Sequence, residues 1–185
     1  MSILIAIAVL VGILCLACLL LTLAVVRRLR EHTKLIDALY EAVDLGGLGG
    51  AASGGVPVGE LVGDFAATTV DGGRVRRDVL PEGTVVAFLS PDCAGCHEQL
   101  PELASWAAGQ DRSRVLAVVD GRSGDPAPLV STLSPVAQVI VEDAPAQVAD
   151  AFKIQSFPTF CQVGAGGRVL ATVRRVSRLP AGSAA

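Results

Sequence analysis

From Ile3 to Val26 the chain reads ILIAIAVLVGILCLACLLLTLAVV, without a charge and with Thr22 as its one clearly polar side chain. At about 1.5 Å per residue such a helix extends roughly 36 Å, enough to cross a hydrocarbon core of about 30 Å with some tilt. A cleaved signal would carry basic residues first, then a shorter apolar core and a small-residue cleavage site. Here no base precedes the run, and Arg27, Arg28 and Arg30 follow it. The pattern predicts an uncleaved anchor over residues 1–26. Cys15 and Cys18 read as small apolar filler within it; lipid attachment at Cys18 is the weaker alternative, because Cys15 and Leu16 fit poorly before such a site.

Beyond the anchor the periodicity changes. Leu35, Ile36, Leu39, Tyr40 and Val43 fall at helical spacing among charges, which predicts a juxtamembrane helix over 27–45 that either self-associates or lies at the interface. Residues 46–58 are rich in glycine and predict a flexible tether. A domain follows over 59–178, and 179–185 reads as a disordered tail. Within the domain, ELVGDFAATTVDGGRV predicts a short strand pair around Asp71-Gly72-Gly73. TVVAFLS (Thr84–Ser90) and RVLAVVDG (Arg114–Gly121) are apolar, β-branched runs of the kind buried on both faces of a sheet. Leu100, Leu103, Ala104 and Ala107 mark a helix between them. A short helix over Leu129–Leu133, a strand in AQVIVED, a helix in PAQVADAF and a closing hairpin across Gly164–Gly167 complete the order. Alternating strands and helices imply an α/β layer fold with a largely parallel core.

A formal charge of −3 gives no reason to expect nucleic acid as a partner. Five cysteines, two of them inside the apolar run, do not make a disulfide framework for a small secreted fold. What needs explaining is the local pair in FLSPDCAGCHEQ: Cys93 and Cys96, with His97 directly behind. Haem attachment would use both thiols and His97 plus a second axial ligand. The only methionine is Met1 and the only other histidine His32, and a strand, not a helix, feeds the motif. A structural zinc needs four ligands, and Cys161 is the one further soft ligand in the domain. A dithiol redox site needs only a location. A strand ending at Ser90 and a short turn would put Cys93 at a helix N-terminus, among unsatisfied N–H groups that stabilise a thiolate. Cys93 would then attack, and Cys96, one turn inside, would resolve the mixed disulfide. CxxC at the strand-to-helix junction of a βαβ unit favours this third reading. Pro158 in KIQSFPTF is either a trans proline at a strand edge or a cis proline set beside the dithiol. Pro101 would kink the helix after Cys96.

These residues resemble the thioredoxin-like thiol-disulfide oxidoreductases, and within them the membrane-anchored TlpA, ResA and MauD branch. FLSPDCAGC, the Gly63-Asp64-Phe65 and Asp71-Gly72-Gly73 entry and the anchored layout look most like the MauD type. The resemblance covers about Val58 to Arg175. It implies a central mixed sheet flanked by helices, with Cys93 as nucleophile, Cys96 as resolving thiol, and Phe157 and Pro158 lining a substrate groove. It implies no cofactor and no metal. Its implied partners are exported protein thiols or disulfides and an upstream electron-transfer protein.

The chain departs from that family in places. The tryptophan common before the first cysteine is Asp92, and a carboxylate there opposes a thiolate at Cys93. The buried acid six residues before that cysteine is Ala87. Glu98 is the candidate proton relay, although its placement differs from that of the ResA-type glutamate. VSRLPAGSAA is too short for a full closing helix, which would leave one sheet face thinly covered. Cys161 reads as a core cysteine, Trp106 as a packing residue, and Arg168, Arg174, Arg175 and Arg178 as a solvated basic edge. The rival to a membrane-tethered oxidoreductase is a redox-inactive interaction module of the same fold. Charge asymmetry around the anchor would place the domain in the cytoplasm; the resemblance implies the extracytoplasmic side, where exported proteins acquire disulfides.

Overall fold

The computed structural model describes Ile5 and Gly12, both helical, and residues 55–179. The expected anchor (apart from those two residues), the juxtamembrane helix and residues 46–54 of the glycine-rich tether lie outside the described residues. Among the described residues no helix is long and apolar enough to cross a membrane.

Five strands form the central sheet: β3 (Thr84–Leu89), β4 (Val115–Asp120), β5 (Gln138–Glu142), β6 (Thr159–Val163) and β7 (Val169–Val173). They lie in the order β5-β4-β3-β6-β7. The first three are mutually parallel, whereas β6 and β7 run antiparallel to their neighbours, so the sheet is mixed. Every residue of β3 and β4 is buried, as expected of apolar strands covered on both faces. A separate antiparallel pair, β1 (Ala66–Thr68) and β2 (Arg74–Arg76), precedes the sheet. Its turn carries Asp71, which accepts from Thr69 Oγ1 and from Arg112 Nη2 at 2.8 Å. Those two contacts, Thr69 first, hold the Asp71 carboxyl down at about 2.

Side-chain alternation along the strands sorts the core into two layers. Val85, Ala87 and Leu89 of β3 face one side, with Val115, Ala117 and Val119 of β4. Helices α1 (Ala94–Ala108) and α2 (Ala127–Leu133) cover that side through Leu103, Ala107, Leu129 and Leu133. Trp106, half-buried, packs against the same layer. Val86, Phe88, Leu116 and Val118 face the other side, where α3 (Gln147–Ala151) is followed by Phe152, whose ring centroid lies 5.1 Å from that of Phe88.

The packed domain is slightly longer at both ends than the hydropathy boundaries at 59 and 178. Val56 is 3% exposed, and its N–H donates to Phe152 O at 3.0 Å. Glycines 59 and 63 also bond into the domain, to Val169 O and Ala151 O. Glycine-rich composition signals backbone freedom, but backbone amides dock as readily from glycine as from any other residue. At the far end, Leu179 is buried rather than part of a loose tail. A 3₁₀ turn over Val176–Arg178 follows β7, and Val176 and Leu179 both enter the α1 side of the core. A short apolar plug therefore stands where a closing helix was expected to be missing. Cys161 is 2% exposed within β6 and makes a 3.7 Å contact with Thr172 Oγ1.

Candidate functional site: a dithiol at a helix start

The site forms where β3 ends. Ser90 and Pro91 leave the sheet, the Cys93 N–H donates to Ser90 O at 3.2 Å, and α1 begins at Ala94. Cys93 is the N-cap, with extended backbone (φ −91°, ψ 109°). Its sulfur accepts from the Cys96 N–H at 3.3 Å, the contact that a serine or aspartate makes in an ordinary N-cap. Cys93 is half-buried and Cys96 wholly buried, and both are free thiols. The Cys93 sulfur lies close enough to act on the Cys96 thiol. Burial, and then the neighbouring Cys93 sulfur, push the Cys96 thiol up to about 12.

The surroundings explain this size. Ala87, where an acid was noted to be missing, is fully buried in the same apolar layer as Cys96, Leu89 and Phe160. A backbone hydrogen bond at Ser90 lowers the thiol in part, but burial outweighs it. His97 is exposed, and its Nε2 lies 2.6 Å from Pro91 O. Because a carbonyl only accepts, Nε2 carries a proton in this contact. The imidazole thus ties residue 97 back to residue 91 and staples the turn holding Cys93.

The Phe157-Pro158 peptide is cis, and Pro158 is buried. A Cβ added at Gly95, between the two cysteines, would lie 3.5 Å from Pro158 Cδ. The proline ring therefore packs against the dithiol loop. Phe157, half-buried, touches both core layers at the same corner. Cys93, Cys96, Phe157 and Pro158 are brought together. Glu98 is not visibly tied to them: it is exposed on α1, and among the described residues no hydrogen bond or ion pair engages it. Helix α1 runs through Pro101 as one element.

One contributor is absent from the sequence reading. Gln99, three residues after Cys96, donates through Nε2 to Arg174 O (3.1 Å) and accepts the Val176 N–H at Oε1 (3.0 Å). Its amide fixes the C-terminal plug to the active-site helix. The i+3 spacing from Cys96 places both residues on one face of α1, the only trace of this role in the sequence.

Two carboxylates close the strand ends beyond the dithiol. Burial raises the Glu142 pKa, against the Val148 and Ala149 N–H groups that its carboxylate accepts. Burial also acts to raise Asp120, but hydrogen bonds from Arg122 and Ser123 prevail and hold it below the usual range. Among the described residues, no three His, Cys, Asp or Glu side chains come together as a metal site.

Three parallel strands with an antiparallel pair added, CxxC at the helix after the central strand, and a cis-proline loop against it define a thioredoxin-like fold. No family model matches the sequence, and no curated protein matches it. Solved structures do. The thioredoxin domain of a thiol-disulfide oxidoreductase from Bacteroides vulgatus aligns with a TM-score of 0.54 at 18% identity, over 66% of this chain and 91% of that one. StoA from Bacillus subtilis aligns at 0.51 and 17% identity, over 62% of this chain and 89% of its own. A thio-disulfide isomerase from Thermus thermophilus gives 0.50 and 23% identity, with 65% and 87% covered. At such identities the likeness is one of fold, and the chemistry rests on the residues of this chain.

Proposed function

We propose that this chain is a thiol-disulfide oxidoreductase of the anchored TlpA, ResA and MauD type, exchanging its Cys93-Cys96 pair with polypeptide partners. One observation carries the reading: the Cys93 sulfur, half-buried at the start of α1, accepts an N–H while Pro158 packs against the intervening loop. In the reducing direction the Cys93 thiolate attacks a substrate disulfide. A Cys93–substrate S–S bond forms, and the other substrate sulfur leaves as a thiolate. Cys96 then gives up its proton, to that thiolate or to water, and attacks the Cys93 sulfur. The internal disulfide closes, and the substrate leaves with both sulfurs reduced by the electron pair the dithiol has lost. The oxidising direction is the same path reversed, and the reduction potential decides between them. In this scheme Phe157 and Pro158 line the substrate groove, and Glu98 is the candidate relay that passes the Cys96 proton on to that thiolate or to water.

Insulin reduction and refolding of a scrambled disulfide substrate, run with wild-type protein and Cys93→Ser, test the reading. Activity in wild type and its loss in the variant support it; equal behaviour of the two rules it out. The second reading, an inactive interaction module, is favoured by the apolar bed at Ala87 and the high Cys96 thiol, and equal behaviour would select it.

Residues 1–26 serve in this proposal as a single-pass anchor with the domain outside the cytoplasm, and residues 27–45 as a self-association segment. Single-cysteine variants labelled on intact cells with a membrane-impermeant maleimide test the sidedness: Cys93 labels without lysis if the domain is outside.

A further inference from the structure

The residue before the attacking sulfur sets what can approach it. Asp92 is exposed, and among the described residues no hydrogen bond or ion pair engages its carboxylate. The loop after β4 comes up against that carboxylate with bare backbone. A Cβ added at Gly124 would fall 2.8 Å from Asp92 Oδ1, and Gly124 has φ +115°, a conformation that side-chain-bearing residues rarely adopt. No cation lies close to it along the chain. Between Thr84 and Gln110 the sequence holds no Lys or Arg, while Asp92, Glu98 and Glu102 are all exposed. Arg122, on the Gly124 loop, is committed to Asp120, with Nε 2.8 Å from Oδ1. The His97 Nε2 is occupied by Pro91 O.

We infer that Asp92 is a specificity-determining residue that selects substrates whose reacting disulfide is flanked by Lys or Arg and disfavours anionic ones. The inference rests on the oxidoreductase reading. An unpaired carboxylate one residue from the nucleophile attracts a cationic disulfide into encounter and repels an anionic one, and the thiolate itself adds to the same field.

Three aliphatic disulfides of similar size and different charge make the test: cystamine (dication), 2-hydroxyethyl disulfide (neutral) and 3,3′-dithiodipropionate (dianion). The reduced full-length protein is oxidised by each at low ionic strength, quenched and analysed by mass, alongside Asp92→Asn and Asp92→Glu. The quantity read is the cystamine-to-dithiodipropionate rate ratio, so a general change in Cys93 reactivity cancels. In wild type the ratio exceeds that of Asp92→Asn by about five- to tenfold, Asp92→Glu keeps it, and salt near 1 M shrinks the difference. Equal ratios in wild type and Asp92→Asn overturn the charge selection and leave the oxidoreductase reading standing. Failure of all three reagents to oxidise wild type overturns both.

Discussion

Burial separates sulfurs that the sequence writes with one letter. Cys93 is half-buried, whereas Cys96 has no exposed surface and its thiol is raised to about 12. At pH 8 that leaves on the order of one Cys96 thiolate in ten thousand. Iodoacetamide on the reduced protein should therefore modify Cys93 alone among the three domain cysteines, and peptide mass mapping shows which sites react. Cys161, raised to about 11 by burial, adds a pH dependence with a definite sign. Its contribution to stability is complete below the thiol's unfolded value. As pH climbs from about 9 to 11, the unfolded chain sheds a proton that the folded chain keeps, and stability falls. Two pKa units correspond to roughly 2–3 kcal/mol. Urea midpoints measured between pH 8 and 11 should fall less steeply for Cys161→Ala than for wild type. Cys96 titrates in the same sense and contributes to the slope that remains.

At the scale of elements, the dithiol helix and the C-terminal plug act as one piece because Gln99 bonds both Arg174 O and the Val176 N–H. Gln99→Ala removes two hydrogen bonds of about 1 kcal/mol each. It should lower the unfolding free energy by about 1–2 kcal/mol and speed alkylation of Cys96, read by denaturation and by timed labelling. A second element carries visible strain. α3 and its C-cap Phe152 are followed by Lys153 with φ +55°, and the Ile154 N–H closes back to Ala149 O in the manner of a glycine-capped helix. Lys153 is exposed, so Lys153→Gly should stabilise by about 0.5–1 kcal/mol in a thermal melt. These two features also mark where sequence reading stops. β3, β4 and α1 announce themselves through local periodicity, and CxxC through spacing. Gln99 meets partners 75 and 77 residues away, and both are backbone atoms with no side-chain signature. The left-handed turn at Lys153 has no glycine to advertise it.

For the molecule as a whole, the sheet is closed on its second face by chain that arrives from the tether. Val56, Val62, Phe65 and Val75 pack with Val148 and Phe152. Alternation of strands and helices was enough to read the layered order, and the terminal hairpin was enough to expect antiparallel strands at one edge. The extent of the domain was not legible, because Val56 sits among residues whose composition describes a free linker. Burying a valine is worth about 1.5–3 kcal/mol. A protein beginning at Gly59 should therefore unfold at lower denaturant than one beginning at Gly55, with equal far-ultraviolet circular dichroism before the transition. Equal midpoints would show that Val56 adds nothing to the packed unit.

The inaccessibility of Cys96 turns the site into a one-way clasp. In the proposed exchange a partner polypeptide is joined through Cys93, and Cys96 is the protein's own means of releasing it. Substituting Ala for Cys96 should leave clients welded to the surface, so that a non-reducing gel of a cell extract becomes a catalogue of those captured, and adding dithiothreitol sets each one free for sequencing.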